Sequence, residues 1–255
     1  MQKKIITKAA IIAGGKGTRL VKITKDIPKS LVKIGDKPVI EHQIVLLQKH
    51  NIKEIWILLG YLGDQIREYL GNGEKWNVNI HYQQEKKPLG TAGALKTLEK
   101  EIKEDFLVLS GDVMLDFDIR RFINWHKQKN STGSIVVHPN DHPFDSDLVE
   151  MGSEEEIISF WRRPHKEEQL PSNLSIASVF IFSPKIFKYI PPKRQCDIEK
   201  DILPIILESK EKVYGYNTPE YIKDIGTPTR LTEVNRDYIL GKIKKFPFKE
   251  KTYET

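Results

Sequence analysis

The sequence predicts an α/β fold: a Rossmann-like, mixed but mostly parallel sheet flanked by helices, with a β-rich insertion. Three observations carry this. Short apolar strands alternate with amphipathic helices through the first half, the pattern of βαβ units. The first of those strands runs directly into a glycine-rich turn. Beyond about residue 130 helices give way to strands separated by loops rich in Pro, Asp, His and Asn. At 255 residues the chain is long enough for one substantial α/β core. Residues 1–240 read as a single domain, about 1–130 forming one part and about 131–220 a second, with 241–255 as a basic tail.

Taken in order, Ala9–Ala13 reads as a short buried strand opening into glycines. Pro38 to about Lys49 reads as a helix with Pro at its first position and Ile40, Ile44 and Leu47 on one face. Glu54–Leu59 is a strand, and Asp64–Leu70 a helix closed by Gly71. Val78–Tyr82 alternates as a strand does. A helix is expected over Thr91–Glu101, a buried strand over Phe106–Leu109 and a helix over Asp118–Lys129, with Ile119, Phe122, Ile123 and His126 on one side. Strands then follow at Ser134–Val137, Ile157–Trp161 and Ile176–Phe182. Helical pieces return at Lys185–Tyr189 and Glu199–Ser209. Two strands, near Lys212–Tyr216 and at Tyr221–Ile225, precede a last helix over Pro228–Leu240.

Composition excludes several classes. A single cysteine, Cys196, excludes a disulfide scaffold or a cysteine metal cluster and fits a reducing compartment. The N-terminal apolar stretch is short and lacks a small-residue cleavage site, so no secretory signal is expected. No run approaches the roughly 18 apolar residues of a membrane span; a cytoplasmic protein is expected. The formal charge is +6, but it lies at the ends. Lys3, Lys4 and Lys8 stand without an acid, and five lysines face two glutamates in 241–255. The body is balanced, whereas a nucleic-acid binder carries a basic stripe on its folded surface; neither nucleic acid nor membrane is an expected partner.

Ala13-Gly14-Gly15-Lys16-Gly17-Thr18-Arg19-Leu20 follows the first strand. Glycines there let several backbone N–H groups converge on one anion, and Arg19 offers a fork for phosphate oxygens. It is not a Walker A loop, lacking the Gly-Lys-Ser/Thr ending, nor a dinucleotide fingerprint, since Thr18, Arg19 and Leu20 follow where a third Gly belongs. Pro28-Lys29-Ser30-Leu31-Val32 then places a lysine after a stiffening proline. Further motifs recur: Pro88–Leu95, Leu109–Asp112, Ile181–Pro184 and Tyr221–Leu231. In this order, over essentially the whole chain, they resemble the sugar-1-phosphate nucleotidylyltransferases, with most likeness to the mannose- and D-glycero-D-manno-heptose-1-phosphate guanylyltransferase branch.

The resemblance implies roles. Arg19, Lys29 and Asp112 would be catalytic, the first two stabilising charge around the reacting α-phosphate. Nucleotide binding would fall to Ala13, Gly14, Gly15, Lys16, Gly17 and Thr18, and to Glu85, Pro88, Gly90, Thr91 and Gly111. Asp112 and Asp224 would hold Mg²⁺, a hard ion bound through one or two carboxylates plus substrate phosphates. By itself, each residue reads more readily as a turn or helix-capping Asp than as a metal ligand. Glu85 stands near the expected base edge; an ionised carboxylate only accepts hydrogen bonds, which suits the adjacent N1–H and 2-amino group of guanine and points to GTP. Gln84 is adjacent and open as an alternative.

On the sugar side the sequence departs from the family. Phe160-Trp161-Arg162-Arg163-Pro164 replaces Phe-Val-Glu-Lys-Pro, and Ile176-Ala177-Ser178 lacks the family's Asn. Arg163 retains a charge for phosphate; Arg162 cannot accept from a hydroxyl. Arg163, Asp145 and Ser178 are the expected sugar-phosphate contacts. The loop from His138 to Asp147 is similar to that of heptose-1-phosphate guanylyltransferases; its irregular spacing favours a solvated loop over a second metal site. The expected activity joins an NTP, GTP by this reading, to the 1-phosphate of a manno-configured heptose or hexose, releasing pyrophosphate by in-line attack on the α-phosphate. A uridylyl- or thymidylyltransferase and a catalytically silent NDP-sugar-binding homologue are the alternatives, and a homodimer is left open.

Overall fold

The structure is a computed structural model, described over residues 6–15, 17–20, 25–140, 143–165, 170 and 172–244, with only the backbone of Thr18 and Asp145. Thirteen strands occur among the described residues. In chain order they are β1 (Lys8–Ile12), β2 (Lys33–Ile34), β3 (Lys37–Pro38), β4 (Glu54–Leu59), β5 (Asn79–Gln84), β6 (Phe106–Ser110) and β7 (Val113–Asp116), followed by β8 (Gly133–Pro139), β9 (Leu148–Met151), β10 (Ile157–Trp161), β11 (Leu174–Phe182), β12 (Val213–Asn217) and β13 (Tyr221–Asp224). The helices are α1 (Val39–Lys49), α2 (Gly63–Leu70), α3 (Gly90–Lys96), α4 (Ile119–Lys129), α5 (Leu203–Glu208) and α6 (Pro228–Ile239).

Nine strands form one sheet, running β10-β9-β11-β6-β1-β4-β5, with β8 attached to β11 and β12 to β8. β6, β1, β4 and β5 are mutually parallel. β11 turns the sheet antiparallel where it joins β6 and β8. The β-rich insertion thus extends the main sheet instead of building a separate one.

Strand periodicity explains why both faces are covered. Successive side chains of a strand point to opposite faces. Ile11, Ile57, Leu107 and Leu109 pack on one side with Ile40, Ile44 and Leu47 of α1, Ile66 of α2 and Phe122 of α4. Ala10, Trp56, Leu58 and Val108 pack on the other with Ala92 and Leu95 of α3 and Leu203 and Ile206 of α5. Central parallel strands buried on both faces read as near-continuous apolar runs, as Phe106–Leu109 does. Truncating fully buried Leu109 to Ala would cost about 2–5 kcal/mol. A smaller third core gathers Val32, Ile34, Met114, Ile225 and Val234. It fastens the β2–β3 hairpin and the antiparallel β7–β13 pair to α6. No helix among the described residues is long and apolar enough to cross a membrane.

Several boundaries differ from expectation. Pro38 is the N-cap of α1, not its first helical residue, because it still pairs with Lys33 in the hairpin. α3 ends at Lys96 instead of Glu101: Thr97 N–H bonds Ala94 O and Leu98 N–H bonds Leu95 O, tightening the chain into turns. The helix expected over Glu199–Ser209 begins as a wide π turn, Ile198–Ile202, before α5.

Candidate active site

The carboxyl ends of β1, β4, β5 and β6 lie along one edge, and their turns build the site, as in other open α/β sheets. The glycine turn after β1 starts with Ala13 N–H bonded to Leu58 O at 2.9 Å. Gly14 then meets Gly60, which follows β4. A Cβ on Gly60 would lie 2.6 Å from Gly14 O, so the two turns touch backbone to backbone. Glu85, just beyond β5, lays Oε1 over the same pair, 3.3 Å from a Cβ position on Gly14 and 3.0 Å from that on Gly60. Its Oε2 accepts from Leu89 N–H at 2.9 Å. Burial pushes the Glu85 carboxyl above its ordinary range, partly countered by that N–H. Space around Gly15 is open, with nothing within 4 Å of where a Cβ would stand.

Asp112 follows β6 in a turn held from three directions. Gly111 N–H bonds Ile12 O at 2.9 Å. Gln43, a buried residue of α1, donates its amide to Ser110 O at 2.8 Å and Val113 O at 2.7 Å, one carbonyl on each side of Gly111-Asp112. Two carbonyl acceptors require the amide nitrogen there, which fixes the side chain's orientation. Ile225 N–H bonds Asp112 O at 2.9 Å. The carboxylate accepts from Ser110 Oγ at 2.5 Å and pairs with Lys29 Nζ. Burial alone would raise its pKa, but the Lys29 ammonium and the Ser110 hydroxyl outweigh that and hold it below the usual aspartate range. Lys29 reaches it from a 3₁₀ turn, Lys29–Leu31, that Pro28 precedes as N-cap.

Pairing of β13 with β7 sets Asp224 opposite Val113, beside Asp112. Asp224 Oδ1 accepts from Gly226 N–H, and Oδ2 from Arg230 Nη1, each at 2.7 Å. Gly226 marks the centre. A Cβ there would stand 2.4 Å from Asp224 Oδ1, 3.3 Å from Arg19 Nη2 and 3.4 Å from Lys29 Nζ. Arg19, Lys29, Asp112 and Asp224 therefore converge around one missing side chain. Arg19, Lys29 and Asp112 border a cleft of about 200 Å³ whose wall includes Ala13, Gly15, Gly17, Thr91, Gly111 and Gly226.

Thr91 and Gly90, expected to contact the nucleotide, and Ser178, expected to contact the sugar phosphate, lie around segment 194–199. Thr91 Oγ1 accepts from Ile198 N–H at 2.8 Å, and its N–H bonds Asp197 Oδ1 at 3.1 Å. Gly90, at φ +73°, backs onto Cys196, whose carbonyl would be 2.4 Å from a Cβ; it joins α3 to segment 194–198 rather than lining the cleft. Ser178 occupies the left-handed region, φ +52°, within the irregular stretch of β11 between Ile176 and Phe180. Its Oγ donates to Glu199 Oε1 at 2.7 Å. Burial pushes the Glu199 carboxyl up to about 7; the charges of Asp147, Asp197 and Asp112 add to this, against the Ser178 hydrogen bond. Arg163 lies beside Asp147, its N–H 3.2 Å and its Nε 3.8 Å from Oδ1. Arg162 donates to Lys200 O, which ties it to the chain around Glu199.

Pro88 is exposed at the start of the α3 turn. Lys16, the side chains of Thr18 and Asp145, and Asp141 and His142 of the His138–Asp147 loop lie outside the described residues. Gln43, Gly60 and Glu199 were not legible as site residues. Only Gly60, a glycine at the carboxyl end of a buried strand, carried a signal that could have revealed it. Among the described residues no cluster of three or more His, Cys, Asp or Glu is arranged to hold a metal.

Residues 8–240 match the family model described as nucleotidyl transferase. A UTP–glucose-1-phosphate uridylyltransferase of Synechocystis sp. is 30% identical over 251 residues, covering 93% of this chain and 64% of that protein. A mannose-1-phosphate guanyltransferase of Saccharomyces cerevisiae is 31% identical over 248 residues, 95% of this chain and 67% of that one. The chain thus spans about two thirds of these relatives' length. Among solved structures, HddC from Yersinia pseudotuberculosis superposes with a TM-score of 0.78 at 26% identity, covering 91% of this chain and 100% of HddC. The same protein has also been solved in complex with GMP-PN. With the family model spanning nearly the whole described fold, the chain belongs to the nucleotidyl transferase family, among relatives named for sugar 1-phosphates.

Proposed function

We propose that the chain transfers a nucleoside monophosphate from an NTP to a sugar 1-phosphate and releases pyrophosphate. The observation that carries this is the convergence of Arg19, Lys29, Asp112 and Asp224 around Gly226 at the mouth of the glycine turn. An oxygen of the sugar phosphate attacks the α-phosphorus in line, the bond from the α-phosphorus to the bridging oxygen breaks, and pyrophosphate departs with that electron pair. The attacking oxygen already carries negative charge, so no protein nucleophile is required. Bringing two polyanions together makes positioning and charge neutralisation the main tasks. The glycine turn presents N–H groups to the triphosphate, while Arg19 and Lys29 neutralise charge at the α-phosphate.

The two carboxylates fit a magnesium site. Both are hard oxygen donors with acceptor capacity beyond their present partners, and Mg²⁺ completes its shell with water and phosphate oxygens. When bound there, Mg²⁺ would supply charge neutralisation for the departing pyrophosphate. GTP is the proposed nucleotide, supported by Glu85 as an acceptor and by likeness to the yeast guanyltransferase and to HddC. The proposed sugar is a manno-configured heptose or hexose 1-phosphate, with Arg163 and Ser178 on its side of the cleft. Two soluble phosphorylated substrates suit a cytoplasmic reaction. Pyrophosphate release across a matrix of NTPs and sugar 1-phosphates tests the reading. Turnover is expected with GTP and a manno sugar and its loss in Asp112→Asn; faster use of UTP or dTTP would reassign the base. No turnover in any combination, or full activity of Asp112→Asn, would overturn the mechanism.

A further inference from the structure

Each of the two central carboxylates is already matched by a cation of the protein. Lys29 pairs with Asp112, and Arg230 pairs with Asp224 Oδ2 at 2.7 Å. The second pair is peculiar in its origin. Arg230 leaves the first turn of α6, where Thr227 Oγ1 accepts from its backbone N–H at 3.3 Å. Helix and strand β13 therefore bring a guanidinium to a carboxylate whose other oxygen is held by Gly226 N–H. The pair is about one-third exposed, 30% for Arg230 and 34% for Asp224, so its attraction is modest and reversible.

We propose that Arg230 is the resident counter-ion of Asp224 in the ligand-free protein, giving up that carboxylate oxygen to the divalent cation when the metal binds. This rests on the metal reading of the preceding subsection. Without Arg230, Asp224 would face Asp112 across the Ile225–Asp112 backbone bond with only one cation, Lys29, engaged by a carboxylate between them. With it, each of the two carboxylates has its own cationic partner before any ligand arrives, and the β7–β13 pair holds its geometry. A divalent ion drawing on Asp224 must compete with a unit positive charge already there. Arginine is always charged in proteins, so the competition operates at every working pH. Its long stem and partial exposure let the guanidinium move off without dismantling α6.

Competition and positioning predict opposite signs, which makes the test decisive. Mn²⁺ is titrated into the full chain without nucleotide, with free ion followed by electron paramagnetic resonance, for wild type, Arg230→Gln, Arg230→Lys and Asp112→Asn. Arg230→Gln is expected to bind Mn²⁺ about fivefold more tightly, the scale set by an exposed ion pair. Its metal-free melting temperature should fall, and Mn²⁺ should raise that temperature by more than in wild type. Arg230→Lys, which keeps the charge but not the fork, should fall between the two and guards against a Gln variant that does not fold. Unchanged Mn²⁺ affinity in folded Arg230→Gln would overturn the proposal. Weaker affinity would overturn it too, assigning Arg230 to holding Asp224 in place. Wild-type binding that Asp112→Asn leaves intact would instead defeat the metal reading itself, and the proposal with it.

Discussion

Replacing Glu199 by Gln should make the protein more stable in mild alkali while leaving it nearly unchanged in acid. Glu199 accepts from Ser178 Oγ at 2.7 Å, a bond that a Gln carbonyl oxygen can keep. Its carboxyl is raised from an ordinary 4.5 to about 7 by burial first and then by Asp147, Asp197 and Asp112. The folded chain thus retains a proton that the unfolded chain has released between those two values. Unfolding releases that proton, so stability is full below 4.5 and declines as pH rises through about 7. The separation corresponds to about 3 kcal/mol at most, and about 2–3 kcal/mol after allowing for the solvent the half-buried side chain still meets. Gln does not ionise, so Glu199→Gln should lie within about 1 kcal/mol of wild type near pH 5 and exceed it by about 2–3 kcal/mol at pH 8. Urea denaturation of both proteins at the two pH values measures the difference directly. A stability difference that is the same at pH 5 and pH 8 would refute the reasoning, because a pH-independent effect cannot arise from a proton.

Gln43→Met should leave Ser110 O and Val113 O without their donor, costing about 2–4 kcal/mol and lowering the turnover number at least about tenfold with less effect on the KM for NTP. Denaturation and initial rates check this, and a wild-type rate in the folded variant would show that the Asp112 turn holds without the amide. Gly60→Ala puts a methyl 2.6 Å from Gly14 O and must part the two turns, so calorimetry should show NTP binding weakened by about tenfold or more. Retained affinity would mean that the glycine turn tolerates the displacement.

The fold was legible wherever a local pattern decides it. Glu54–Leu59 and Ile157–Trp161 are strands at the expected residues because their short length and their β-branched and aromatic content favour strand over helix. β7 was not anticipated: Val113–Asp116 begins three residues after β6 ends, and its partner β13 lies more than a hundred residues on. β9, at Leu148–Met151, was hidden in a stretch whose Asp and His content resembles a loop. The same distinction governs the site. Arg19, Lys29, Asp112 and Asp224 belong to compact motifs and the structure brings them together. Gln43 looks like an ordinary polar position on an amphipathic helix until α1 docks behind Ser110. Glu199 stands next to Lys200 and Asp201 and reads as solvated, yet the π turn directs it toward Ser178. Pairing across the chain, which composition does not encode, separates the two groups.

The β7–β13 pairing also sets a timetable for synthesis. Asp112 emerges 112 residues before Asp224, so at about 5–20 residues per second a nascent chain waits roughly 6–22 s with one carboxylate made and its neighbour absent. Through that interval β7 has no strand beside it and Ile225 cannot cap the Asp112 carbonyl. The glycine turn and its parallel strands, by contrast, complete early. A ribosome-bound chain would therefore complete its glycine turn well before the Asp112–Asp224 pair, and premature termination before residue 221 would leave that turn without the pair.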